Sequence, residues 1–172
     1  KEVVYKTLTN GKKWWRLKQL ADLQVAQFFI PKTDANKIKL TTQSQYINYL
    51  KNGSQIIDRG ASMVVSEQKH FFHWFLEFPQ VFQQGGFDCI LGNPPYKGGK
   101  KISGLYGSDF LEFIHYKYTG VGGQSDFISY FIRRIAELLK TNAYFSIITT
   151  NTVSEGDTRE GSIGYLTKKS EF

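Results

Sequence analysis

The chain has 172 residues, with 22 Lys plus Arg against 15 Asp plus Glu, one Cys, a 16% aromatic share and a formal net charge of +7. That length suits one domain with a core of useful size; its 41% hydrophobic content argues against disorder. No apolar run nears the roughly 18–20 residues of a membrane-spanning helix. One cysteine excludes an internal disulfide and a cysteine-built zinc cage, so a reducing, cytoplasmic setting is expected.

The opening Lys1-Glu2-Val3-Val4-Tyr5 lacks the apolar run of a secretory signal, and a start without Met leads us to expect an excerpt of something longer. The charge is uneven. Residues 1–40 hold nine basic and three acidic side chains, and residues 41–96 come to −1. Residues 97–119 come to +2, and residues 120–172 to zero. A basic face attracts phosphate backbones or acidic partners. The plainer reading is a wet helix surface carrying Lys12, Lys13, Arg16 and Lys18.

From Lys12 to Ile30, Trp14, Leu17, Ala21, Val25 and Phe28 recur at three- and four-residue spacing, which predicts one buried helical stripe ended by Pro31. A second helix is expected over Thr42–Leu50, with Tyr46, Tyr49 and Leu50 on one face before Gly53. A third runs from Ser62 to about Phe72 and buries Met63, Val64 and Phe71. The aromatic stretch His70–Pro79 reads as a core-filling connector.

Ten of the 16 glycines fall between Gly85 and Gly123, a region of turns and close backbone approaches. Within it Phe87-Asp88-Cys89-Ile90-Leu91 predicts a buried strand closed by Gly92, with Cys89 a small core residue. Phe110, Phe113, Ile114 and Tyr118 predict a helix started by Ser108 and stopped near Gly120. Gly120-Val121-Gly122-Gly123 reads as a turn. A stronger helix follows, capped by Ser125, favoured at its N-terminus by Asp126, and striped by Phe127, Phe131, Ile135 and Leu138. Asn142 closes it, and Ala143–Thr149 reads as a buried strand. Strand, long crossover and strand make a parallel β–α–β unit, expected to be right-handed. Asp157 and Glu160 have capping-box spacing for a last helix carrying Ile163 and Leu166.

In parallel α/β sheets, ligands meet the loops at the carboxyl ends of strands. The loop after the first strand reads Asn93-Pro94-Pro95-Tyr96. Two prolines fix two φ angles and remove two backbone donors, which leaves a rigid turn with outward carbonyls. The Asn93 side-chain oxygen and a proline carbonyl can accept both hydrogens of an exocyclic amine while Tyr96 stacks on the ring. An adenine amine is a poor nucleophile, because its lone pair is delocalised into the ring. Two acceptors off the ring plane draw it toward tetrahedral geometry, so that positioning does most of the work.

Gly86–Tyr96 closely resembles the catalytic motif of DNA methyltransferases that modify the adenine amine, and the likeness extends further. Phe72-His73-Trp74, Glu77-Phe78-Pro79 and Val81-Phe82 resemble the segment before that motif in large fused type II restriction–modification enzymes, with gamma-type motif order. Gly98–Gly104 after the motif, Ser125-Asp126-Phe127, Ile148–Thr152 and Gly156-Asp157-Thr158-Arg159 are similar to the family's later motifs. The likeness covers about residues 70–166, and more loosely Leu20-Ala21-Asp22 to Phe28-Phe29.

The resemblance implies an α/β chain: a partial Rossmann-like methyltransferase fold with a helical N-terminal extension. Residues 1–82 would lead into the catalytic core and residues 83–172 would form its C-terminal part. It implies that Asn93 and Pro94 accept the amine's hydrogens and that Tyr96 stacks on a flipped adenine, with Pro95, Lys97, Lys100 and Lys101 against the substrate. Asp126 and Asn151 would lie in structural or donor-proximal motifs. The implied donor is S-adenosylmethionine and the implied partner double-stranded DNA. The family's glycine-rich donor loop has no counterpart in residues 1–92, where only Gly11, Gly53 and Gly60 stand before the run at Gly85. The expectation is therefore a fragment, separated from upstream donor-binding and downstream target-recognition regions and inactive in isolation.

Three rivals remain. Asp58 with Glu67-Gln68-Lys69 has the letters of a metal-dependent nuclease, but Glu67 and Lys69 fall in a predicted helix instead of on paired strands. His70 and His73 have no third metal ligand nearby in sequence and read as packed or surface residues. The third is a non-catalytic nucleic-acid-binding module using a basic face and stacking by Tyr96.

Overall fold

The structure, a computed structural model, describes residues 11–52, 59–95 and 101–168, and divides into two compact units after Pro79. No helix among the described residues is long and apolar enough to cross a membrane.

In the first unit, helix α1 (Lys12–Ala26) is followed by a 3-10 turn (Asp34–Lys39), α2 (Gln43–Asn52), α3 (Gly60–Gln68) and a single helical turn, α4 (Trp74–Glu77). α1 buries Leu20, Leu23 and Ala26, and the chain after it buries Phe29 and Ile30. This is a different side from the expected stripe: Leu17 and Phe28 are exposed. Apolar residues lie nearly all around α1, so the buried polar Asp22 marks the inner face better than the hydrophobic period does.

Asp22 is 4% exposed. Lys18 Nζ donates to its Oδ2 at 2.7 Å, and His73 Nε2 lies 2.8 Å from its Oδ1. Burial alone would raise the Asp22 carboxyl, but the hydrogen bonds and charges of His73 and Lys18 outweigh it and hold the group below its ordinary value. α3 packs on α1 and buries Ser62 and Ser66, while Met63 and Val64 are exposed, contrary to expectation. α2 buries Tyr49 and leaves Leu50 exposed. In the aromatic connector, Phe72 and Trp74 meet edge-on at 5.1 Å, and Trp74 and Phe78 stack at 5.8 Å. Trp14 Nε1 donates to the Leu76 carbonyl at 3.0 Å. The connector fills less core than expected, with Phe72, Phe75 and Phe78 exposed.

The second unit begins within α5 (Pro79–Gln83) and holds β1 (Phe87–Gly92), α6 (Ile102–Tyr106), α7 (Ser108–Lys117), α8 (Ile128–Leu138) and β2 (Leu139–Ile147). After them come a 3-10 turn (Asn151–Ser154), α9 (Gly156–Arg159), a π-turn (Glu160–Gly164) and α10 (Tyr165–Lys168). β1 and β2 pair in parallel, so the second unit contains the expected β–α–β connection. Phe87 opposes Leu139 and Cys89 opposes Tyr144, with an irregularity between them; regular pairing then runs to Gly92 opposite Ile147. The extra residues of β2 pass through Asn142 at φ 61, a left-handed conformation that asparagine tolerates. Asn142 thus punctuates β2 and not the end of α8, which stops at Leu138.

α8 fulfils its stripe: Phe127, Ile135 and Leu138 are buried and Phe131 is half-buried. Each such side chain contributes roughly 1.5–3 kcal/mol when fully buried. Ile128 and Ile132 join Leu166 in a core against which Phe145, Ile147 and Val153 pack. A second cluster gathers Ile102, Ile114, Tyr118, Phe127 and Tyr130. Burial pushes Tyr118 up to about 12, with help from Glu137, and pushes Tyr130 up to about 12 on its own. The strands are less buried than predicted. Cys89 is exposed, not a core residue, as are Leu91, Tyr144 and Ile148. Period-2 alternation explains this, since Phe145 and Ile147 face α8 and their neighbours face away.

Candidate active site

Parallel register sets the geometry. Gly92 and Ile147 are opposite one another, and the Ile148 amide donates to the Gly92 carbonyl at 3.0 Å. The loops after β1 and β2 therefore leave the sheet side by side at its carboxyl end. The first is Asn93-Pro94-Pro95; Pro94 is buried, while Asn93 and Pro95 are exposed. The buried ring seats the turn, and the asparagine before it is presented outward. Lys101 is exposed at the start of α6. Tyr96, Lys97 and Lys100 lie outside the described residues.

The other end of the ladder is fixed twice. Lys140 of β2 pairs with Asp88 of β1, and its hydrogen bond and charge lower the Asp88 carboxyl. Gly86, at φ 131, lies so close to the other chain segment that a Cβ there would stand 2.6 Å from the Leu138 carbonyl oxygen. Only glycine fits that approach without movement of backbone.

The second loop, Thr149-Thr150-Asn151, is polar and held by local bonds. The Thr150 and Thr152 hydroxyl oxygens are 2.7 Å apart, Asn151 Nδ2 donates to Glu155 Oε1 at 3.3 Å, and Ser154 Oγ donates to the Asn151 carbonyl at 2.6 Å. The segment after it is stitched to α8 through Thr158. The Asp126 amide donates to Thr158 Oγ1 at 2.9 Å, and the Thr158 carbonyl accepts from Ser129 Oγ at 3.1 Å and from Ser162 Oγ. Ser125 is not the expected cap; its hydroxyl donates to the Asp157 carbonyl at 3.0 Å. The N-cap position is Phe127, without a side-chain cap, and the preceding Asp126 closes a local turn, its Oδ1 accepting from the Ile128 amide at 3.2 Å. Nor do Asp157 and Glu160 form a capping box: a π-turn interrupts the expected helix, burying Leu166 but leaving Ile163 exposed.

Arg133 is a buried cation that the sequence pattern did not bring forward. It is 6% exposed, with Nη2 donating to the Thr119 carbonyl at 3.0 Å and the guanidinium 3.3 Å from the centre of the Tyr165 ring. A signal existed: Ser125, Ser129 and Arg133 repeat every fourth residue, a polar stripe beside the apolar one.

Of the rival sites, Glu67 lies on α3 and Lys69 at its C-cap, while Asp58 falls outside the described residues. His73 is engaged with Asp22. Among the described residues, no group of three or more His, Cys, Asp or Glu side chains could hold a metal ion.

Neither a curated protein nor a solved structure gives a match to this chain. A family model, described as Eco57I restriction-modification methylase, matches residues 12–171. That span takes in α1 as well as the Asn93 loop, α8 and the Thr158 network, and by it the chain belongs to the Eco57I restriction-modification methylase family, enzymes of DNA methylation.

Proposed function

We propose that this chain carries the base-holding loop of an adenine-specific DNA methyltransferase of a type II restriction–modification system. The observation that carries the reading is Asn93 exposed on a buried Pro94 at the carboxyl end of a parallel strand. Asn93 Oδ1 and the Pro94 carbonyl accept the two hydrogens of the adenine amine, drawing its lone pair out of the ring and toward the incoming methyl group. Tyr96 stacks on the flipped base, and Pro95, Lys97, Lys100 and Lys101 lie against the DNA. The parallel β–α–β connection belongs to a Rossmann-like methyltransferase fold.

The methyl group comes from S-adenosylmethionine, in keeping with the family. The described residues do not build that donor's site. Among the described residues, β1 runs into Asn93-Pro94-Pro95 and β2 into Thr149-Thr150-Asn151, and neither of these loop segments contains a glycine. The chemistry assigned to these residues therefore stops at the base.

The test is expression of the protein carrying this chain in a bacterial host free of DNA methylation, with base-resolved detection of modified bases. The expected outcome is methyladenine at one recurring sequence, lost in Asn93→Ala while duplex affinity stays within about threefold. Methylation that survives Asn93→Ala, or a mark on cytosine, refutes the assignment. No methylation by the wild type, with duplex affinity lost on substitution of the lysines and not of Asn93, favours a binding module.

A further inference from the structure

The first unit gathers positive charge in a way its own stability does not explain. Lys12, Lys13 and Arg16 are exposed in the first turns of α1, where no acidic residue stands and where the helix dipole disfavours cations. Arg59, just before α3, is brought to the same place: its Cζ lies 6.0 Å from the centre of the Tyr49 ring and that of Arg16 lies 5.9 Å from it. Tyr49 is buried, so both guanidinium groups rest on one fixed ring while remaining exposed. Arg59 is held further by Nη1 donating to Gln19 Oε1 at 2.8 Å. Among the described residues, no carboxylate pairs with Lys12, Lys13, Arg16 or Arg59; Asp22, the acid of α1, is committed to Lys18 and His73. Trp15 is 49% exposed on the same helix.

We infer that Arg16 and Arg59, seated on Tyr49 and extended by Lys12 and Lys13, form a docking surface for the phosphate backbone of double-stranded DNA. The inference rests on the reading of DNA as the substrate, but not on the role of Asn93. Guanidinium groups suit phosphate because their planar donors match its oxygens, and a guanidinium already oriented loses less freedom on binding. An aromatic support leaves the N–H edge available, since it occupies the face of the cation. Phosphate interactions of this kind set register and affinity and carry no sequence information.

Fluorescence anisotropy of a labelled 30-base-pair duplex, titrated with the full chain at several salt concentrations, tests the inference. In Arg16→Ala/Arg59→Ala the slope of log affinity against log salt should fall by about 0.9 for each phosphate that is no longer neutralised, with affinity down roughly tenfold or more near 100 mM salt. Lys12→Ala/Lys13→Ala should lower the slope as well; among the described residues neither lysine has an ion-pair or hydrogen-bond partner whose removal could unfold α1. An unchanged slope in both double variants, with the wild type binding, overturns this inference and leaves the Asn93 reading intact. No duplex binding by the wild-type chain overturns the surface and counts against the DNA reading as well. Binding of labelled polyglutamate that the variants weaken, with DNA binding unaffected, assigns the surface to an acidic protein and overturns the inference.

Discussion

Replacing Thr158 by Val removes one hydroxyl and little volume from the point where the segment after the Thr149–Asn151 loop is tied to α8. Thr158 is 6% exposed, and its Oγ1 accepts the Asp126 amide at 2.9 Å. Valine leaves that amide without its acceptor, whereas the two serine hydroxyls on the Thr158 carbonyl keep theirs. An unpaired buried donor costs about 1–3 kcal/mol. Asp126 is half-buried, so water recovers part of the loss and about 1–2 kcal/mol is expected. Thr158→Ser keeps the acceptor and loses one methyl group, for about 0.8 kcal/mol. Urea unfolding followed by circular dichroism gives the two differences. Hydrogen exchange over residues 125–129 and 156–162 locates them, with opening in Thr158→Val raised about five- to thirtyfold. Thr158→Val as stable as wild type, or Thr158→Ser the more destabilised of the two, would refute the assignment of Thr158 as the tie.

Gly86→Ala places a methyl group 2.6 Å from the Leu138 carbonyl oxygen at φ 131, and is expected to cost about 2–5 kcal/mol through overlap and backbone strain; a melting temperature within a degree of wild type would count against the close approach. For Asp22 the sign follows from a folded-state value below the unfolded one: its contribution is present above the ordinary carboxyl range and is lost as pH falls through the lowered value. Unfolding of wild type between pH 6 and 2 should therefore steepen below about pH 4, and Asp22→Asn should flatten that limb. An acid limb identical in the two proteins removes Asp22 as its source.

The sequence showed most where one physical signal dominated. The α8 stripe was legible because Phe127, Phe131, Ile135 and Leu138 share a face under any helical register, and Gly92 closed β1 as glycine does. The face of α1 was not legible: Trp14, Trp15, Leu17, Leu20, Leu23 and Val25 offer more than one stripe, and the choice was made by Asp22 reaching His73 across 51 residues. Local spacing cannot carry that information. Caps failed for the same reason. Ser125 has the letter of an N-cap, but the Asp157 carbonyl competes for its hydroxyl. Cys89 and Leu91 looked buried because an apolar run does not state whether one or both faces of its sheet are covered. The Asn93 loop was the most legible part of the candidate site, since its chemistry is local; the side-by-side position of Thr149–Asn151 needed the strand register.

That register has a consequence for the order of assembly. β1 and β2 are parallel and cannot close as a hairpin, so residues 93–138 must be looped before the first rung forms. Closing roughly 50 residues costs about 3 kcal/mol beyond the constant term, and a two-stranded ladder alone does not recover it. The return comes from Phe145 and Ile147 landing on Ile128 and Ile132. Folding of the second unit should therefore be governed by docking of α8, with the Asn93 turn ordered in its final step. A ribosome that has released Asn93 has not yet made the strand that shapes it, and the loop gains its geometry only once β2 has emerged.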